Sequence, residues 1–200
     1  MNLLSTLIPS GRPGLRAKVF ASILAMAGAA AVLSPAAAQA GSSMTGMQKC
    51  KAGLPPDEIV PFNQTGGGHV SYPAGPNPPN GIFPGNALHV VVDWNSLVDI
   101  SFWGEWYNIN GKAEAATSGY PFPGWPKYAD LFRMNNNPGG WVASGSDPNP
   151  WDPHMLRELN ATACFAAPAL PARMGVQMND DNLSDNQGAW KWSLEIWRNS

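Results

Sequence analysis

The sequence predicts an all-β protein, a two-sheet jelly-roll sandwich, and three observations support this fold class. Apolar and polar residues alternate in several short runs, as in strands with one buried face. The 21 Gly and 20 Pro residues, together with clusters of Asn, divide those runs as turns between strands do. Helical spacing of apolar residues is confined to one short segment, Met155 to Ala163. Many short strands with little helix favour two packed sheets.

A targeting segment precedes the predicted domain. Residues 12–18 carry three basic side chains, residues 19–33 form an apolar run, and Ala38–Gln39–Ala40 has the small-x-small pattern of a cleavage site. The run of about 15 residues is shorter than the ~20 needed to span a bilayer, which argues against a membrane anchor. We therefore predict a signal peptide over residues 1–40 and a secreted or periplasmic mature chain with no membrane span.

The predicted mature chain is weakly acidic. It keeps all 14 acidic residues but only 9 of the 12 basic ones, so its formal net charge is 9 minus 14, or −5. The absence of a basic stripe from the sequence argues against nucleic acid and anionic membrane surfaces as partners. The remaining 160 residues (200 minus 40) suffice for one domain with a hydrophobic core.

Two regions follow the signal peptide. Residues 41–86 are predicted to be a Pro/Gly-rich N-terminal arm, with at most a short edge strand around Ile59–Val60. Its segment 63–86 contains Gly66–Gly67–Gly68 and five prolines, which exclude a helix or a central strand and indicate a loop that wraps the domain. Residues 87–200 are predicted to be the β-sandwich.

Alternation of apolar and polar residues predicts the strands of this sandwich. It is clearest at the end of the chain, where Trp190, Trp192, Leu194 and Ile196 alternate with polar neighbours and should face the core. Around residues 155–163 a helical turn is predicted, although a strand fits 162–167 as well. The predicted strands cover residues 87–93, 98–103, 129–134, 141–143, 173–178 and 189–197.

Cys50 and Cys164 are the two cysteines of the chain. An exported protein meets an oxidising compartment, so an even pair predicts a disulfide, the alternative being two buried thiols. Closing a loop of this length contributes about 4–5 kcal/mol to stability by the chain-entropy relation.

The stretch Asn179 to Gly188 carries the main functional signal. It contains three carboxylates, from Asp180, Asp181 and Asp185, among Asn, Ser and Gln residues, and no Lys or Arg. Carboxylate, amide and carbonyl oxygens close together are the ligands that calcium prefers. The same residue types also suit an exposed hairpin turn, and the order of an EF-hand is absent. Ca²⁺ is the predicted cofactor, with a solvated turn as the alternative.

Three blocks of the sequence are informative when taken in order: residues 98–106, residues 129–134 with the Asn/Gly turn that follows, and the tail from Arg173 to Trp190. Together they look like the galactose-binding jelly-roll domain of the bacterial galactophilic, PA-I type calcium lectins. The resemblance covers roughly residues 87–197, and the tail is its most specific part.

The resemblance implies a calcium site that a sugar completes with two hydroxyl groups. Asp180 and Asp185 would then contact both the ion and the sugar, and Asp181 would be an extra or supporting ligand. The ligands carried over from the family are the side chains of Asp180, Asp185 and Asn186, the carbonyl of Asn182, and the carbonyl of either Tyr107 or Asn108.

One departure concerns the sugar. The family uses a His-Pro-x-Gln segment, whereas residues 119–126 of this chain contain neither His nor Gln. Tyr120 and Trp125 are predicted to form a different sugar wall, since aromatic rings stack on the apolar face of a pyranose. The alternative is that these rings pack beneath the loop and that no sugar binds.

The sequence therefore predicts a secreted, calcium-dependent, lectin-like module whose partner is a carbohydrate or glycoconjugate. The alternative is a structural or adhesion β-sandwich in which calcium only rigidifies the loop. The chain is not predicted to be an enzyme. Its three histidines lack the spacing of metal ligands, no Gly-x-Ser-x-Gly motif occurs, and Asp147, Asp152 and Glu158 fit solvated loop acids.

Overall fold

A computed structural model describes residues 43–145 and 147–200 of the chain. The predicted signal peptide, residues 1–40, lies outside the described residues. Within them, the helices are α1 (Gly46–Lys51) and α2 (Leu156–Ala161), and Leu183–Asp185 is a 3-10 turn. The strands are β1 (Glu58–Thr65), β2 (Val70–Tyr72), β3 (Ala87–Val92), β4 (Val98–Asp99), β5 (Trp106–Tyr107), β6 (Asp130–Asn136), β7 (Gly140–Val142), β8 (His154–Met155), β9 (Phe165–Ala166), β10 (Arg173–Met178) and β11 (Gln187–Trp197).

The strands form two antiparallel sheets. The first has the order β5-β4-β11-β3-β9, and β1 pairs with β11 along its full length, from Glu58 opposite Ile196 to Thr65 opposite Ala189. The second has the order β2-β10-β6-β7, with β8 paired to β6. The structure thus confirms the predicted all-β, two-sheet sandwich, in which the last strand, β11, lies at the centre of its sheet.

The core lies between the two sheets. From β11 it receives Trp190, Trp192, Leu194 and Ile196, which are all buried as the alternation predicted. The opposite sheet contributes apolar side chains from β6 and β10, such as Phe132, to the same cluster. Full burial of each large apolar side chain is worth roughly 1.5–3 kcal/mol, so this shared face is the main source of stability.

The N-terminal arm is part of both sheets. The strands β1 and β2 lie inside the segment 41–86, so the sandwich begins before the expected boundary at residue 87. Pro61 is tolerated in β1 because that strand pairs with β11 on one side only. β2 occupies an edge of the second sheet, and the five prolines of residues 63–86 follow it.

The hairpin of β4 and β5 differs from the prediction. Alternation predicted a strand through Trp103, but the strand ends at Asp99. Asp99 accepts a hydrogen bond from the Ser101 N–H (3.3 Å), and Gly104 closes the turn with a φ of 79°. Phe102 and Trp103 therefore lie at the tip, 90% and 88% exposed, and contribute nothing to the core.

The predicted disulfide between Cys50 and Cys164 is present and joins residues 114 positions apart. It attaches α1 to the segment just before β9. Thr45 and Gln48 form a capping box at the start of α1, which satisfies two backbone N–H groups there. None of the helices in the described part of the chain has the length and apolar character needed to cross a bilayer.

Candidate functional site

The oxygen-rich loop connects β10 to β11, as predicted. Asn179 ends the extended segment, and the 3-10 turn Leu183–Asp185 occupies the middle of the loop. The Asn182 side chain caps this turn by accepting hydrogen bonds from the N–H (3.2 Å) and the hydroxyl (2.6 Å) of Ser184. The loop therefore has a defined local structure that aims some side chains inward and others outward.

Asp180 is the inward-facing carboxylate of the loop. It is only 5% exposed. Its Oδ1 accepts the Asn182 N–H at 3.1 Å, and its Oδ2 accepts an N–H of the Asn186 amide at 2.8 Å. Burial, reinforced by the negative charge of Asp181, raises the pKa of Asp180 despite these two donors. The carboxylate is thus held in a position where a further positive charge would stabilise it.

Asn186 links the loop to the turn between β1 and β2. Its Nδ2 donates to the Gly66 carbonyl at 2.9 Å as well as to Asp180. Its Oδ1 is buried and has no hydrogen-bond partner within the described residues. A buried oxygen of this kind normally has a partner, so Asn186 and Asp180 together present oxygens suited to a bound donor or cation.

The other predicted metal ligands of the loop face solvent. Asp181, Asn182 and Asp185 are exposed. Across residues 43–145 and 147–200, no three His, Cys, Asp or Glu side chains converge as a metal cluster, so the three loop carboxylates do not form one. Any ion here would be held by one buried carboxylate together with amide and backbone oxygens.

The hairpin that carries Tyr107 pairs with the first residues of β11, which follow the oxygen-rich loop. In this pairing Asp99 lies opposite Gln187, and a side chain at Gly188 (φ 79°) would meet the Leu97 carbonyl oxygen at 2.7 Å. The Tyr107 carbonyl accepts the Trp190 Nε1–H at 2.8 Å. The Asn108 carbonyl accepts the Gly111 N–H at 3.0 Å. Each carbonyl retains a second lone pair, so the geometry favours neither as a ligand.

Tyr120 lies close to the loop acids. Its hydroxyl donates to the Tyr128 hydroxyl at 3.3 Å, and the Tyr128 ring stacks on Tyr107 at 5.3 Å. Burial, this hydrogen bond and the negative charges of Asp181 and Asp180 raise the pKa of Tyr120. Tyr120 therefore experiences the charge of the loop acids and belongs to a cluster of three tyrosines that the sequence did not reveal.

Trp125 takes the packed arrangement that was the alternative in the sequence analysis. It is partly buried and packs, with Phe122, against a small cluster formed by Ala129, Leu131 and Met155. A ring engaged in this way contributes to the stability of the loop. The Trp125 carbonyl accepts from the Asn179 amide at 3.4 Å, so its backbone contacts the start of the oxygen-rich loop while its ring belongs to this apolar cluster.

Two residues important for the site were not predicted. Asn179 is fully buried and bonds the backbone of the segment 122–126. Gly66 supplies a carbonyl to Asn186 across a sequence separation of 120 residues. Asn at the end of a strand resembles any turn residue, and a glycine carbonyl has no sequence signature, so neither role could be inferred.

Two of the three acids considered as possible catalytic groups, Asp147 and Glu158, form a separate cluster with His154. His154 Nδ1 lies 2.9 Å from Glu158 Oε2, and Nε2 lies 3.0 Å from Asp147 Oδ2. The Glu158 hydrogen bond and the charges of both acids raise the pKa of His154 against the effect of burial, while Asp152 is exposed. The cluster attaches the preceding loop to α2, and the absence of enzyme activity remains a prediction.

Fold and site together define a disulfide-linked β-sandwich with an oxygen-rich loop beside three tyrosines. Comparison of the chain with protein-family models, with curated proteins and with solved structures gives no match in any of the three. The function is therefore inferred from the residues of the site.

Proposed function

We propose that this chain is an exported, calcium-dependent carbohydrate-binding module. The observation that carries the proposal is the Asn186 Oδ1, which is buried without a partner beside the buried carboxylate of Asp180. Calcium accepts amide, carboxylate and carbonyl oxygens in flexible geometry. Its positive charge would stabilise the ionised form of Asp180, which burial disfavours. The disulfide fits an oxidising compartment and so supports export.

The donor set fits calcium better than a transition metal. Oxygen donors of mixed type suit a hard cation, whereas zinc and its neighbours prefer His and Cys, and neither residue type lies in the loop. When bound, calcium would supply positive charge and coordination positions for sugar hydroxyls. The residues proposed to hold it are Asp180 and Asn186 through their side chains and Asn182 and either Tyr107 or Asn108 through a carbonyl. The solvent-facing Asp181 and Asp185 add negative charge at the edge of the site.

Tyr120 supports the sugar part of the proposal. It is half-buried, and the charges of Asp181 and Asp180 act on its hydroxyl, so a sugar bound at the ion would lie near its ring. A ring fixed by a hydrogen bond to Tyr128 loses little freedom on binding a ligand. In this proposal, Trp125 supports the segment that carries Tyr120.

Calorimetric titration tests the proposal. The mature chain, freed of metal with a chelator, is titrated with calcium chloride and then with galactose and a panel of other monosaccharides. We expect saturable calcium binding, and sugar binding only in its presence. Asp180→Asn should weaken calcium binding at least tenfold, because the one buried carboxylate is lost, while the exposed control Asp152→Asn should not. Sugar binding that is unaffected by chelation would contradict the proposal.

The packing of Trp125 favours a second candidate, a structural or adhesion module in which calcium only rigidifies the loop. Its ring lies in an apolar cluster, and the Tyr120 hydroxyl already has a partner in Tyr128. In this case calcium at a hundredfold excess over Kd would stabilise the fold by about 3 kcal/mol, and no sugar would give heat. Melting curves with calcium, read beside the titrations, separate the two candidates.

A further inference from the structure

Two adjoining cavities form a groove on the outer face of the second sheet. Their volumes are about 290 Å³ and about 300 Å³, and they share His69, Trp141 and Gly175. Ligand cavities in proteins range from about 300 to 1,000 Å³, so each can hold a single sugar-sized group. No residue of the loop between β10 and β11 lines either cavity, so the groove is separate from the proposed calcium site.

Gly175 lies at the floor of this groove and has no side chain to fill it. It lies in β10 between Ser71 of β2 and Arg133 of β6. Side chains at this position would point outward, and a Cβ atom here would lie 3.1 Å from the His69 ring nitrogen. The glycine therefore lets a ligand approach the backbone between His69 and Arg133.

The groove is positively charged in an otherwise acidic protein. Arg173 lines one cavity and Arg133 lines the other, and no carboxylate lines either one. Arg173 donates to the side-chain oxygens of Asn135 and Asn77, and Arg133 donates to the Trp151 carbonyl. Within the described residues neither guanidinium forms a salt bridge. Both arginines are thus positioned by neutral oxygens and not by ion pairs, although the Asp152 carboxylate, which lines neither cavity, acts on Arg133 from nearby.

Aromatic rings border the groove beside these charges. The Arg133 guanidinium lies 4.5 Å from the centre of the Trp141 ring and 5.5 Å from that of Phe122. These contacts restrict the arginine in a cation–π arrangement. Trp141 remains 37% exposed, so part of its ring is available to a ligand in the groove.

We propose that this groove binds an acidic oligosaccharide, with a carboxylate or sulfate group on Arg133 and a sugar ring against Trp141. The Trp151 carbonyl accepts from Nε and Nη2 of Arg133, which leaves the Nη1 and Nη2 edge for a bidentate contact with the anion. Arg173 adds positive charge, while its own N–H groups donate to protein oxygens. The amides of Asn135 and Gln177 provide donors and acceptors for hydroxyl groups. An extended peptide is less suited, because β10 is paired on both sides and cannot accept an added strand.

The test measures binding of tetragalacturonate by calorimetry to the mature chain in EDTA, which separates this groove from the calcium site. We expect binding of the charged tetramer, and at least tenfold weaker binding of its methyl ester, since hydrogen bonds to charged groups are worth about that factor. Arg133→Gln should weaken binding at least tenfold, and Arg157→Gln, an exposed change on α2, should leave it unchanged.

A second variant covers the case in which Arg133→Gln fails to fold. Gly175→Val fills the floor, keeps every charge and suits a strand, and we expect it to reduce binding by a similar factor. Binding of a carrageenan tetrasaccharide, which carries sulfate groups and no carboxylate, would support the proposal with sulfate as the anion. Equal binding of the methyl ester or of a tetraglutamate peptide would overturn it, as would no binding by the wild type or unchanged binding by folded Gly175→Val.

Discussion

Asn179 holds Phe122 by both of its backbone groups. The Asn179 Oδ1 accepts the Phe122 N–H at 2.9 Å, and the Nδ2 donates to the Phe122 carbonyl at 3.0 Å. The same amide donates to the Pro126 carbonyl at 3.1 Å. A fully buried side chain next to Asp180 therefore fixes the segment 122–126, which contains Trp125 and directly follows Tyr120.

We expect Asn179→Ala to destabilise the protein by roughly 2–4 kcal/mol, because buried backbone groups of the segment 122–126 lose their partners. Urea unfolding followed by tryptophan fluorescence measures the change. Asn63→Ala is the matched control, since Asn63 is exposed on β1 and should change stability by less than about 0.5 kcal/mol. Equal effects of the two substitutions would show that the Asn179 contacts do not contribute to stability.

The buried carboxyl group of Asp130 is expected to make the folded protein less stable as the pH rises. It is fully buried, its Oδ1 accepts from Gln64 at 2.9 Å, and Gln64 in turn accepts from Trp192 at 3.0 Å. Burial raises the pKa of Asp130 from 3.8 to about 8. The folded protein therefore keeps a proton that the unfolded chain releases, and stability should fall between pH 4 and pH 8.

The substitution Asp130→Asn removes the titrating group while keeping an oxygen for Gln64. Above pH 4 we expect this substitution to reduce the fall in unfolding free energy with rising pH, by at most about 1.4 kcal/mol per pH unit. Urea unfolding at pH 4.5, 6 and 7.5 measures this slope, with the exposed Asp152→Asn as control. If wild type and Asp130→Asn have parallel pH profiles, the buried carboxyl group does not control stability.

Titration of His154 should change the stability of the protein only above about pH 6.5, the ordinary pKa of histidine. Its contacts with Glu158 and Asp147 raise its pKa above the ordinary 6.5. The stabilisation is complete below pH 6.5 and is lost as the pH rises through the pKa of the folded state. His154→Gln should remove this step, and NMR titration of the ring protons measures the pKa directly. A ring that titrates at or below 6.5 would contradict the prediction.

Removing the disulfide should destabilise the protein strongly. The bond joins residues 114 positions apart, and the chain-entropy relation predicts a loss of about 4–5 kcal/mol when it is absent. Thermal unfolding of the double variant Cys50→Ser, Cys164→Ser measures this loss. The wild type in dithiothreitol should unfold at a similarly lowered temperature, whereas the double variant should not respond to the reductant.

The alternation of apolar and polar residues explains which strands could be predicted from the sequence. The strand β10 was predicted with its observed limits, and β11 to within two residues, because alternation at period two depends only on local sequence. The hairpin at 98–107 has the same alternation, yet Phe102 is exposed. The side chains of Asp99 and Ser101 bond the local backbone there and replace the strand by a turn.

The sequence by itself determined that this is a β-sandwich, that Cys50 pairs with Cys164, and that an oxygen-rich loop joins the last two strands. These features follow from residue periodicity, from a single possible cysteine pairing and from residue type. Only the tertiary structure decided that Asp180 and Asn186 face inward while Asp181 and Asp185 face solvent. The direction of these side chains depends on Gly66 and the segment 122–126, which are distant in sequence and meet the loop only when both sheets have formed.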